Sequence, residues 1–227
     1  SLAISGLDLG VSAVGFAIVL KKLNVIEGRL KVIGDQIDKV TADRRKDEIG
    51  KIFVEIRRSL GEIDGLSHYK KPGFSASLVR DRLLARASDL EFYYIQRLEG
   101  TEGRGLSLED LDYLWTLAGA MALCHDAAAN ALFELDELDA ARKICLQHAH
   151  GFLNISGRET VDGLARLFAA EAKTVDEFSE RYSEANPYAE KLVSGLRDFA
   201  LAMVSRAELA DTLIARSISG PQYMAMV

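Results

Sequence analysis

The sequence has little cysteine and little proline, with two cysteines and three prolines in 227 residues. Two cysteines cannot build the disulfide framework of a small secreted domain, so Cys124 and Cys145 are predicted to be buried free thiols in a reducing compartment. The shortage of proline, together with abundant alanine, leucine, glutamate and arginine, favours helix. Apolar residues at 48% and charged residues at 27% exclude a disordered or collagen-like chain and are enough for a core.

Long apolar runs are also missing. The charge-free run near the N-terminus covers only 9–20, which is shorter than the roughly 18–20 residues of a membrane-spanning helix. A run of this length is typical of a buried helix in a bundle. The alternative is a segment that inserts into a membrane after oligomerisation, with the lysine pair that follows it at the headgroups. The residues of this candidate membrane or oligomer segment are Leu9, Val14, Phe16, Val19, Lys21 and Lys22.

The spacing of apolar residues predicts helix rather than strand. From Leu9 to Val40, nine of the ten residues at alternating third and fourth positions are apolar, whereas a strand would alternate with period two. This is the spacing of a coiled coil, and a second helix over 49–63 repeats it. We therefore expect an all-α fold that begins with a coiled-coil-like helical hairpin. The predicted seam residues of that hairpin are Leu23, Ile26, Leu30, Ile33 and Ile37.

A helical bundle is predicted to follow the hairpin. Ser107 with Asp110 resembles a capping box at the start of one helix, Gly151 is expected to end another, and Pro187 is expected to separate the last two. The predicted organisation is a hairpin over 1–67, a bundle over 74–218 and a flexible tail over 219–227. The predicted helices of the bundle cover 76–99, 108–134, 138–150, 157–172, 175–185 and 188–217.

Charge is distributed unevenly along the chain. Residues 1–86 hold 16 Lys and Arg against 11 Asp and Glu, a net charge of +5, and residues 87–227 hold 12 against 23, a net charge of −11. The two sums give the total of −6. Opposite charge on the two halves favours docking between halves or between subunits, although two solvated surfaces of different sign would give the same sums.

Three carboxylates lie in stretches that bear on catalysis: Asp8 in ISGLDLGVSAVGFAIV, Glu55 in IFVEIRR and Asp126 in CHDAAANAL. In this order the stretches resemble the motifs of RuvC-type nucleases of the RNase H fold. The resemblance implies that these carboxylates hold catalytic metal ions and that Glu55 lies on a strand. The helical spacing through both N-terminal segments favours another interpretation, in which Asp8 is a charge near a helix N-terminus and the other two are exposed helix residues.

Two further patterns involve His148. Arg142, six positions before it, fits the loose pattern that resembles HEPN ribonucleases, which are all-helical; the simpler interpretation is a solvated arginine and a histidine at a helix end. Cys145 and His148 are three residues apart on one helix face and could donate two metal ligands. A structural zinc ion needs four ligands, and no second pair has such spacing. We therefore predict no metal and no cofactor.

A broader resemblance agrees with the helical spacing. LGVSAVGFAIVLKKLNVIEGRL is similar to the Gly-rich apolar segment that runs into a coiled coil in uncharacterised bacterial helical proteins, and ALFELDELDAARKICLQHA resembles their helical hairpins. This resemblance implies a helical fold without catalytic residues. We expect a non-enzymatic cytoplasmic protein that associates with itself or another helical protein, with membrane association through 2–20 as an additional role. Nucleic acid is not an expected partner, and the alternative function is the metal-dependent nuclease.

Overall fold

The computed structural model describes residues 44–64, 72–100, 105–158 and 160–224, and every regular element within these ranges is a helix. This confirms the all-α prediction for the described residues. The seam residues, the candidate membrane segment and Asp8 lie outside them. The helices are α1 Arg44–Asp64, α2 Pro72–Glu99, α3 Leu108–Glu134, α4 Leu138–Arg158, α5 Val161–Ala169, α6 Val175–Ala215 and α7 Gly220–Met224.

Helix α1 confirms the helical prediction for 49–63. Its isoleucines Ile49, Ile52 and Ile56 are buried against α2 and α3, because the 3-4 spacing places them on one face. The same core contains the buried residues of the bundle, so α1 packs with the bundle although a boundary was expected between 67 and 74.

Helix α3 is the central helix of the described structure, with contacts to α1, α2, α4, α6 and α7. It begins as predicted, because the Ser107 side chain accepts from the Asp110 backbone N–H while the Asp110 carboxylate accepts from the Ser107 backbone N–H. Small residues allow its neighbours to approach closely. Five of the small residues of this helix, Ala118, Gly119, Ala122, Ala129 and Ala131, are all buried.

Two predicted helix breaks, at Gly151 and at Pro187, are wrong. Helix α4 continues through Gly151 to Arg158, because Phe152 and Ile155 extend its buried face and one interior glycine costs only about 1 kcal/mol. Helix α6 likewise continues through Pro187, which lies on the exposed side of the helix. An interior proline normally kinks or breaks a helix. Here the helix is buried on both sides of it, at positions 185 and 189.

The C-terminal segment expected to be a flexible tail contains helix α7. The backbone N–H of Gly220 donates to Oδ1 of Asp136 at 2.7 Å, which joins α7 to the turn between α3 and α4. A Cβ atom at position 220 would overlap the backbone of Phe133, so only glycine fits this close approach. Residues 220–224 are therefore packed on the bundle.

Candidate functional site

Two sets of polar side chains lie where α3 meets α4 and α6: a buried ion pair with a neighbouring thiol, and a partly exposed pair of histidines. Two contacts show that helices α4 and α6 run antiparallel. Arg142, near the start of α4, pairs with Asp211, near the end of α6, at 2.9 Å. Further along α4, the ring of Phe152 lies 5.7 Å from that of Phe199, which comes earlier in α6. Helix α3 packs against both. We call the following group the interior polar cluster: His125 and Asp126 from α3, Cys145 and His148 from α4, and Arg206 from α6.

The first component of the interior polar cluster is a buried ion pair. Nη2 of Arg206 lies 2.6 Å from Oδ1 of Asp126, and the two side chains are only 4% and 9% exposed. The prediction that Asp126 is an exposed helix residue is therefore wrong. A buried charge requires such a partner, because desolvation of an unpaired ion is expensive.

The second component is a pair of stacked histidines, which we call the histidine pair. The imidazole rings of His125 and His148 are 3.5 Å apart between centroids and 21° from parallel. Burial lowers the pKa of His148 to about 4, and burial together with the neighbouring His148 lowers the pKa of His125 well below its ordinary value. Both rings are therefore neutral near pH 7. His148 lies within α4, so the prediction of a helix-end cation is wrong.

The third component is the Cys145 thiol. Burial raises its pKa to about 12, with Arg206 opposing and Asp126 adding to this shift. Burial also raises the pKa of Cys124, on α3, far above its ordinary value. Both cysteines are free and buried, as predicted. Because the thiolate is the nucleophile and the metal-binding form, these protonated thiols are poorly suited to either role near pH 7.

The carboxylates of the nuclease alternative have separate partners. Glu55 lies on helix α1, where the resemblance implied a strand, and its Oε2 lies 3.4 Å from Nε of Arg86. Asp126 is held by Arg206 in the interior polar cluster. Within 44–64, 72–100, 105–158 and 160–224, no group of three or more His, Cys, Asp or Glu side chains is arranged to hold a metal ion.

The remaining candidate pattern is also divided between two contacts. Arg142 lies at the surface and pairs with Asp211, while His148 stacks on His125. The two residues of the ribonuclease-like pattern therefore have different partners. His148 and Cys145 do share the inner face of α4, as their three-residue spacing predicted.

Comparison with protein families, curated proteins and solved structures finds no match to this chain. In the part of the chain that the structure describes, no helix combines the length and the apolar character required to cross a membrane.

Neither Arg206 nor the contact between the two histidines was predicted from the sequence. A signal for Arg206 was present, because it stands at a core position of the apolar stripe formed by Phe199, Met203 and Ala210 on α6. The histidine contact had no such signal. It depends on how α3 and α4 align across their turn, which side-chain spacing within one helix does not reveal.

Proposed function

We propose that this chain is a non-enzymatic helical protein that associates with itself through the apolar seam upstream of α1. The main support for the proposal is the packing of helix α1. The spacing over 49–63 predicted an apolar helix face, and Ile49, Ile52 and Ile56 form one. The face of α1 is already covered by α2 and α3. We infer that the similar stripe upstream packs against the same stripe of a second copy, which provides a matching apolar surface. The seam comprises Leu23, Ile26, Leu30, Ile33 and Ile37.

Charge supports association between copies. The net charge of +5 on residues 1–86 complements the net charge of −11 on residues 87–227. The turn between α3 and α4 contributes to the acidic side. A surface cleft of about 540 Å³ there is lined by Asp136, Glu137 and Asp139, and Leu138 and Leu213 add apolar lining. Such a cleft suits a basic segment that also carries aliphatic side chains.

The test is the molar mass of the full chain in solution, measured by light scattering during size-exclusion chromatography. Leu30→Asp would place a charge in the seam and should reduce the mass to that of a monomer, since burying an unpaired charge is strongly unfavourable. The matched control is Asn24→Asp, which adds the same charge beside the seam and should keep the mass of the wild-type chain. Equal masses for both variants would contradict the proposal.

Membrane activity through residues 2–20 is a second proposed role. Its support is the charge-free run 9–20 and the adjoining Lys21 and Lys22, which suit an interface with anionic lipid. The protein should then release dye from anionic liposomes, and Phe16→Asp should abolish the release while Asn24→Asp should not. Absence of leakage at every lipid composition and pH would leave the self-association role alone.

A metal-dependent nuclease that uses Asp8, Glu55 and Asp126 is the alternative function. Its support is the order of three partial motif matches in the sequence. The pairing of the two described carboxylates with arginines disfavours it, because each arginine competes with a divalent cation for the carboxylate. The assay is cleavage of single- and double-stranded DNA and RNA with Mg²⁺ or Mn²⁺. Cleavage that Glu55→Gln abolishes would favour the nuclease over the non-enzymatic proposal, because the exposed Glu55 side chain can be changed without disturbing the core.

A further inference from the structure

The contact between α3 and α4 contains an arrangement of polar atoms that packing alone does not explain. Nδ1 of His125 and Nε2 of His148 are buried, and neither has a hydrogen-bond partner. The edge of the Phe152 ring adjoins His125, with centroids 5.7 Å apart and planes at 80°. Two apolar side chains would fill this space without leaving polar atoms unsatisfied. Unsatisfied buried polar groups are rare in native proteins and call for an explanation.

We propose that the histidine pair is a proton-sensitive contact that holds α4 against α3 while both rings are neutral and releases it when the rings are protonated. The stacked geometry underlies this proposal. Two imidazolium ions with centroids 3.5 Å apart would repel each other in a partly buried site, where water screens charge poorly. This proton-sensitive contact lies within the bundle and does not depend on the proposed self-association.

The charged side chains of the interior polar cluster are already paired with each other. Asp126 from α3 and Arg206 from α6 already neutralise each other. Cys145 from α4 is an uncharged thiol, because burial raises its pKa to about 12. Each protonation therefore adds a positive charge to the contact between α3 and α4, while the carboxylate of Asp126 is already matched by the guanidinium of Arg206.

Charged and titratable groups also come from other helices that pack on α3. From α2, Arg86 acts on Cys124 and is itself paired with Glu55 of α1 and with Asp89. From α7, Tyr223 is neutral near pH 7, because burial raises the pKa of its phenol.

The sign of the pH dependence follows from the direction of the pKa shifts. Burial lowers the pKa of both histidines in the folded state, so the unfolded or released state binds more protons below about pH 6.5. The closed contact is therefore fully stabilised above about pH 6.5. For His148 this stabilisation is lost progressively as the pH falls towards about 4. Release of α4 would expose apolar side chains at this contact, such as that of Phe152, whose ring adjoins His125.

The test follows acid-induced exposure of apolar surface in the full chain. Binding of the dye ANS should rise between about pH 6.5 and about pH 4 while far-UV circular dichroism retains its helical signal. His148→Phe keeps an aromatic ring in the stack but removes its titration, and should move the midpoint down by roughly half a pH unit or more. The matched control is His150→Phe, because His150 is exposed on the same helix and bonds to Asn154. The control should keep the wild-type midpoint.

Two measurements on the wild-type chain test the histidine pair without the phenylalanine variant. Hydrogen exchange of the wild-type chain should lose protection first in α3 and α4, and earlier loss in α1 and α2 would contradict the proposal. An NMR titration should assign a pKa below the ordinary value of 6.5 to both His125 and His148. Ordinary pKa values for both, or equal ANS midpoints for wild-type and His148→Phe, would overturn it.

Discussion

Replacing Arg206 by methionine tests the interior polar cluster most severely. The change keeps most of the side-chain length but removes the guanidinium that lies 2.6 Å from Asp126. Because both side chains are less than 10% exposed, Asp126 would be left as a buried charge without this partner. Breaking a buried pair in this way typically costs about 3–5 kcal/mol. We therefore expect the free energy of unfolding of Arg206→Met to fall by that amount.

The matched control is Arg142→Met, which breaks the pair with Asp211 at the surface, where the side chains are 42% and 59% exposed. Exposed pairs contribute about 0–1 kcal/mol, so the two variants should differ by about 2–5 kcal/mol, which is at least roughly thirtyfold in unfolding equilibrium constant. Urea unfolding followed by circular dichroism measures both. Adding Asp126→Leu to Arg206→Met should recover most of the loss, since an apolar pair can replace a buried ion pair. Equal unfolding free energies for Arg206→Met and Arg142→Met would refute the reasoning.

Three further predictions concern packing and pH. Ala118→Leu, on the buried face of α3, should destabilise the fold by about 1–3 kcal/mol through overpacking. Glu137→Ala, at an exposed turn position, should cost under about 1 kcal/mol; equal melting temperatures for these two would contradict the core assignment. Gly195→Ala should also lower the urea midpoint, because a Cβ there would overlap the Trp115 ring; an unchanged midpoint would contradict that contact. The pKa of His148 is lowered to about 4. As the pH falls from about 6.5 to about 4, the free energy of unfolding should therefore decrease by about 2–3 kcal/mol, allowing for the partial exposure of the ring. His148→Phe should flatten this part of the curve of stability against pH.

Helix identity could be predicted from the sequence more reliably than helix ends. The 3-4 spacing identified α1, and the capping box at Ser107 located the start of α3, because both signals are local. The helix breaks predicted at Gly151 and Pro187 do not occur. Buried contacts on both sides of each residue outweigh its low intrinsic preference for helix. Tertiary packing therefore decided where α4 and α6 end.

The candidate site could be predicted only in part. Asp126 was identified as a chemically interesting residue, but it was expected at the surface because an isolated carboxylate on a helix is normally solvated. Its partner Arg206 occupies a core position between Met203 and Ala210, and an arginine in an apolar stripe indicates a buried acid elsewhere in the chain. Which acid it meets depends on the alignment of α3 with α6. The neutral state of His148 has the same origin, because burial between helices determines it.

The most direct test of the proposed function is sedimentation equilibrium of the full wild-type chain at pH 7.5 over a wide range of concentrations. Self-association through the seam predicts an average mass that rises with concentration from one chain of 24.9 kDa towards a defined multiple of it. The Leu30→Asp chain should stay at the mass of one chain over the same range. A wild-type mass of 24.9 kDa at every concentration would contradict the account.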